Sequence, residues 1–320
     1  MKHFTVTALA CLALVSAAPG ARAQSTTQAI VPFPPGGALD ALARMVTQAV
    51  GEQAKENFVV ENRPGANGLI GAKAVAASKP EGKTWLFADA STMTVNPTLY
   101  PKDPAFDAQR DLRAVIALGF MPSVLTVHPS LGPRTLNEFV ELARREEVPY
   151  VSGGIGATGH LSMEYFSGAA GGLKLRHVPY KGGAPAMTDH IAGQVPAGFG
   201  VFGGALPHIR AGKLVALAVS GRQRMPQLPA VPTVAESGYP GFEVEVGYYV
   251  MLAGRTPDNV ARDVEARVRR ALGDAGLQER IRALGIEPAP SMSSADALKW
   301  IATEHDKWAK VIREKGIRAE

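Results

Sequence analysis

Two short glycine-rich stretches hold the chemistry most readily seen in this 320-residue sequence. Pro34-Pro35-Gly36-Gly37 stops an apolar run from Gln28 to Phe33 and precedes a stretch with helical periodicity. Gly154-Ile155-Gly156-Ala157-Thr158-Gly159 follows the strand-like Tyr150-Val151-Ser152 and precedes a second helical stretch. A glycine turn that opens a helix bares backbone N–H groups at the positive end of the helix dipole, and both favour an anion. Two such turns facing each other across a cleft could hold both ends of a small carboxylate without a buried arginine. Glycines also make tight turns that bind nothing. The signal is therefore the repetition, not either loop alone.

Other chemistries fail on particular residues. Gly82-Lys83-Thr84 resembles the end of a P-loop, but the glycine that such a loop requires is Ala77. The Gly154–Gly159 spacing is that of a dinucleotide loop. The strand after it, however, ends in His177-Val178-Pro179-Tyr180-Lys181, with no acid to hold a ribose. His128, His160, His177, His190, His208 and His305 include no i,i+3 or i,i+4 pair, so no metal site is predicted. There is no G-x-S-x-G elbow, no nucleophile–base pair and no carboxylate pair in a special setting. The basic residues are scattered, with Arg267, Arg269 and Arg270 on a solvated helix face, which argues against nucleic acid. The sequence predicts no enzyme, cofactor or metal.

The elements that must position the loops follow from composition and periodicity. A chain 46% apolar and 20% charged is an ordinary globular one, neither disordered nor polytopic. Lys2, an apolar run from Phe4 to Ala18 and Ala21-Arg22-Ala23 read as a cleaved export leader, residues 1–23. Removing 23 of the 320 residues leaves 297, takes away the only cysteine, Cys11, and lowers the net charge from +5 to +3. A disulfide or thiolate site is then excluded. Strands are predicted at Gln28–Phe33, Phe58–Glu61, Thr84–Ala88, Val115–Leu118, Val124–Val127, Tyr150–Ser152, Leu175–Val178, Leu214–Val219 and Val244–Leu252. Helices are predicted from Leu42 to Val50, Ile70 to Ala77, Leu136 to Arg145, His160 to Ala170, Ala184 to Ala192 and through most of the chain after Pro257. Ser91 to Arg113 reads as a loop region, and Pro226 to Pro240 as a surface connection. On the last helix Leu298, Ile301, His305, Trp308 and Ile312 form one stripe, and Trp300 and Trp308 read as core. Alternating strands and helices make an α/β protein of two units with mainly parallel sheets.

Five segments together resemble one family. Pro32 to Asp40 with Ala43-Arg44, Val60 to Gly68, His160-Leu161 with Glu164, Val178 to Gly183, and Leu228 to Gly238 are similar to the signatures of the tripartite tricarboxylate transporter receptors, also called Bug proteins. The resemblance covers the mature chain in the expected order. It implies a type II periplasmic binding-protein fold whose two lobes close on a carboxylate. The lobes are expected at 24–122 with 246–320, and at 123–245, with chain crossings near Met121 to Val124 and Phe242 to Tyr248. Carried over by position, Phe33, Gly36, Gly37 and Ala38 line the first lobe, with Ser91, Thr92 and Asn96 adding polar contacts. Gly156, Ala157, Thr158 and His160 form the second lobe's part, His160 either as a contact or as a capping or packed histidine.

The chain departs from the family pattern at Ala157, where a hydroxyl residue is usual, and at Pro196 and Gly200, where acids are usual. Losing those acids makes the second lobe less negative and favours an aromatic or less amine-rich ligand than an amino acid. The implied role is an extracytoplasmic solute receptor, monomeric, meeting membrane transporter subunits transiently from the periplasm. An exported enzyme or a sensory binding protein on the same scaffold is the alternative.

Overall fold

The computed structural model of the chain describes residues 26–100 and 106–319. The predicted export leader, residues 1–23, lies outside the described residues. The first half runs β1 (Thr26–Val31), α1 (Ala38–Ala54), β2 (Asn57–Asn62), α2 (Leu69–Ala76) and β3 (Thr84–Asp89). β1 lies between β2 and β3 and is parallel to both. α1 is amphipathic: Leu39, Leu42, Ala43, Val46 and Val50 face inward at helical spacing. It stops at Lys55, which takes the left-handed conformation at φ 53°. Three single turns then occupy the predicted loop region: α3 (Ser91–Thr94), α4 (Asn96–Leu99) and α5 (Ala108–Asp111).

The largest departure from the sequence reading is β4 (Leu112–Val127), a continuous strand of 16 residues where two short strands are predicted. Gly119 and Pro122 suggest a break, yet each has a place in the strand. Gly119 faces β10, described below. Pro122 is the last residue of β4 to pair with β9, and Ser123 the first to pair with β7. A residue without an N–H is tolerated where a strand exchanges partners.

The second half continues through α6 (Leu136–Arg145), β5 (Val148–Ser152), α7 (Thr158–Ala169), β6 (Leu175–Pro179) and α8 (Gly183–Ile191). β7 (Ala197–Val201), α9 (Phe202–Arg210) and β8 (Val215–Val219) follow. β5 sits between β6 and β7 and is parallel to both. β7 and α9 escape the sequence reading because glycines interrupt their patterns, and packing explains those glycines. A Cβ on Gly198 would stand 2.9 Å from Val151, and one on Gly203 would stand 2.2 Å from the Leu284 carbonyl.

The chain returns through β9 (Glu245–Ala253), α10 (Asp258–Leu272), α11 (Ala275–Ala283), β10 (Glu287–Pro288) and α12 (Ser294–Glu314). The strand order is β2-β1-β3-β9-β4-β7-β5-β6, with β8 and β10 also pairing β4. The sheet is mixed rather than mainly parallel, because β9 runs antiparallel to β3 and β4, and β4 antiparallel to β7 and β8. α12 touches both halves. Ala297 and Ile301 join the apolar cluster under β3, while Trp308, Val311 and Ile312 join the cluster around β5 and α7. Leu298, predicted on that buried stripe, is 46% exposed.

The close seat of β10 on β4 yields a stability test. A Cβ on Gly119 would lie 2.5 Å from the Glu287 carbonyl and 2.7 Å from Ile286. Gly119→Ala is expected to destabilise the chain by about 1–3 kcal/mol through overpacking, read as a lower urea midpoint with an unchanged m-value.

Candidate functional site

Each glycine loop stands at the carboxyl end of a parallel strand, β1 or β5, and feeds a helix, α1 or α7. The two loops are held in the same way. Gly36 adopts φ 88° and Gly156 φ 75°, backbone conformations that favour glycine. The N–H of Gly36 donates to Asp40 Oδ2 at 3.1 Å, and the N–H of Gly156 donates to His160 Nδ1 at 3.1 Å. In both loops a side chain four residues downstream bonds the glycine amide and fixes the turn.

Asp40, 6% exposed, is the centre of the first lock. Arg44 Nε and Nη2 donate to its two oxygens at 3.1 and 3.0 Å. Asn62 Nδ2 donates to Asp40 Oδ1 and to the Phe33 carbonyl, each at 3.0 Å. Burial pushes the Asp40 carboxyl up, but the bonds from Arg44, Gly36 and Asn62 outweigh it and hold it below the ordinary range.

The second lock is a stack. His160, 7% exposed, lies on His177 with ring centroids 3.8 Å apart and planes within 9°. His177 in turn stacks on Tyr150 at 5.1 Å, and Tyr150 donates to Glu164 at 2.9 Å. His177 Nε2 lies 2.6 Å from Ser152 Oγ, a nucleophile–base contact that the sequence does not predict. It is a loop staple rather than a reacting pair. Ser152 is 4% exposed, its hydroxyl donates to the Gly154 carbonyl at 2.9 Å, and it accepts from the Gly154 N–H at 3.1 Å.

The remaining amides of the two helix starts stay open. Among the described residues no acceptor takes the N–H groups of Gly37, Ala38 and Leu39, or those of Thr158, Gly159 and His160. Gly159 lets α7 approach β7 closely, since a Cβ there would meet the Phe199 carbonyl at 2.5 Å. Gly37 is the opposite case, with nothing within 4 Å of a Cβ. The ground in front of the first loop is open.

The other predicted site residues divide. Ser91 donates through its N–H, at 3.1 Å, and its hydroxyl to Asp89 Oδ1. Thr92 is fully buried, and its hydroxyl has no partner among the described residues. Asn96 is committed to Asn67: its Nδ2 donates to the Asn67 carbonyl at 3.0 Å, and its Oδ1 accepts from Asn67 Nδ2 at 2.8 Å. Asn67 needs that support because it sits in the left-handed region at φ 48°.

A small cavity of about 30 Å³ lies between the halves. Ser91, Gly156 and Thr158 line it, whereas Phe33, Gly36, Gly37, Ala38, Thr92, Asn96, Ala157 and His160 do not. At Gly156 the two halves meet, since a Cβ there would stand 2.3 Å from Leu99. The cavity adds residues absent from the sequence prediction: Asp89, Glu245, Trp300 and Trp308. Asp89 carries a readable signal, being a carboxylate at the carboxyl end of a parallel strand. The two indoles reach the cavity only because α12 crosses both halves.

Comparison with known proteins gives the chain its family. Residues 42–317 match the model of the tripartite tricarboxylate transporter family receptor, so the chain belongs to that family of solute receptors. It is similar to BugT of Bordetella pertussis, 35% identical over 91% of this chain and 89% of that protein. A Rhodopseudomonas palustris protein solved with adipate is 31% identical, with a TM-score of 0.83 over 92% of this chain and 98% of that one. The periplasmic binding protein BugD is 29% identical, with a TM-score of 0.80 over 92% and 99%. The chain has the periplasmic binding-protein fold.

The stacked histidines predict a pH dependence. Burial pushes the pKa of His160 and His177 down to about 4, and the neighbouring His160 adds to the effect on His177. An unfolded histidine takes its proton near pH 6.5. Between roughly pH 6.5 and 4 the unfolded chain therefore binds more protons than the folded one. Stability from these rings is complete above that window and is lost as the pH falls through it. His160→Asn keeps an acceptor near Nδ1 but does not titrate. It is expected to lose melting temperature less steeply over this window than the parent; equal slopes would contradict the assignment.

Proposed function

Starting from membership of that receptor family, we propose that the chain is an extracytoplasmic receptor that holds a small organic carboxylate between two lobes for a tripartite tricarboxylate-type transporter. The observation that carries this reading is the pair of open helix starts, each behind a positive-φ glycine fixed by a side chain four residues on. Amides so fixed are pre-organised, and they meet a carboxylate with little further ordering cost. Adipate in the similar Rhodopseudomonas palustris protein supports a ligand of this class.

In this reading Phe33, Gly36, Gly37 and Ala38 form the first lobe's grip, and Gly156, Ala157, Thr158 and His160 the second's. Ser91 adds a polar contact from the first lobe, while Thr92 and Asn96 support it from behind. Asn96 acts through Asn67, since both ends of its amide are bonded there. The lobes are 24–122 with 246–320, and 123–245. The exchange of β4's partners between Pro122 and Ser123 supports that division. Closure about these strands buries the ligand and forms the face read by membrane subunits. The mature receptor is a periplasmic monomer, released by cleavage after Ala23, and it performs no chemistry on its ligand. Its second lobe, without acids at Pro196 and Gly200, contributes no charge of its own from those positions.

Gly37→Val tests the grip. Gly37 lies at φ −79°, ψ 169°, an extended conformation open to any residue, with free space around a Cβ. The variant is expected to fold with an unchanged melting temperature but to bind at least about tenfold more weakly in calorimetry, because the new side chain covers the amides. Wild-type protein at 100 times the Kd of a carboxylate ligand should gain about 2.7 kcal/mol of stability. If no carboxylate in a broad panel raises the melting temperature while another ligand class does, the reading fails.

A further inference from the structure

The anion grip leaves two carboxylates of the cavity unexplained. Asp89, at the end of β3, and Glu245, at the start of β9, both line it and are both half-buried. Neither forms an ion pair with a described lysine or arginine. The basic groups whose charge acts on Glu245 are bonded to other carboxylates: Arg222 Nε donates to Glu243 at 2.7 Å, and Lys307 Nζ donates to Glu304 at 2.6 Å. Burial pushes both carboxyls up. A carboxylate removed from water must take up a proton or find a cation.

The surroundings favour the cation. Ser91 directs both its N–H and its hydroxyl at Asp89 Oδ1, and donors of that kind favour the ionised carboxyl. The walls include the indoles of Trp300 and Trp308, with Val95, Leu161 and Val246. Aromatic faces attract organic cations. Trp308 already does so, holding Lys307 Nζ 4.8 Å from its ring centroid. Gly156 and Thr158 of the second glycine loop line the same cavity, so a molecule with its acid end at that helix start has its other end within this chamber.

We infer that the cavity takes the cationic end, an ammonium or quaternary ammonium group, of a ligand whose carboxylate is held at the glycine loops. The ligand is then a zwitterion, and the negative charge absent at Pro196 and Gly200 is supplied instead by Asp89 and Glu245. This rests on the carboxylate-receptor reading and narrows its ligand class.

Calorimetry of the mature protein with four ligands of matched length tests the inference: pentanoate, glutarate, 5-aminopentanoate and 4-(trimethylammonio)butanoate. At least one of the two zwitterions is expected to bind about tenfold or more tightly than glutarate and pentanoate. Asp89→Asn and Glu245→Gln are each expected to shrink that preference toward unity, with the melting temperature of the free protein confirming that they fold. Glutarate binding at least as tightly as both zwitterions overturns the inference and leaves the receptor reading standing; proton uptake on binding would identify the carboxyls as acids. No binding by any of the four also overturns it, while the receptor reading is judged separately on the broader carboxylate panel.

Discussion

An α-helix begins with amide groups that nothing inside the helix can bond. A protein normally satisfies them with a capping side chain, as Thr135 does here for Glu138 at the start of α6. At α1 and α7 the chain instead bonds the glycine amide just before the helix and leaves the first-turn amides open. Asp40 and His160 thus act on the loops rather than on the helices. A charged carboxylate does this in one half and a neutral imidazole in the other, so the two halves reach one geometry by different chemistry. The carboxylate is held ionised by Arg44 and Asn62, and the imidazole is held neutral by burial against His177.

The larger architecture serves that arrangement. Parallel strands on each side point their carboxyl ends at the loops, and the antiparallel β4 and β9 join the two parallel sets into one sheet. β4 changes partners at a proline, and the apolar clusters on the two sides share α12. The cavity sits where these elements converge, walled by strand, helix start and the two indoles. Its position explains how residues distant in sequence, Asp89, Glu245 and Trp308, come to act on one small volume.

Much of this was legible in the sequence because it depends on local patterns. The glycine loops, α1, α6 and the short parallel strands carry their own turn chemistry and periodicity. Gly36, Gly37, Gly156 and Thr158 are legible as loop and helix-start positions because helix starts are local features. β4 is not legible locally because Gly119 and Pro122 look like punctuation, and only their partners, β10 and the β9-to-β7 exchange, give them another meaning. β7 and α9 escape a local reading because Gly198 and Gly203 answer to contacts with Val151 and Leu284 that no local window contains. The Ser152–His177 contact and the carboxylates of the cavity are tertiary facts of the same kind. Trp308 was correctly placed in a core, yet it lines the cavity as well, because a large side chain can pack on one side and face a void on the other.

The proposed carboxylate grip rests on the open amides of α1 and α7 as the ligand's contacts. Amide NMR of the protein titrated with a carboxylate ligand observes them one by one. The largest shifts should fall on Gly37, Ala38 and Leu39 in one half and on Thr158, Gly159 and His160 in the other, in a single saturable transition. Saturable binding that leaves these six amides unmoved, with shifts confined to residues away from both loops, would contradict it.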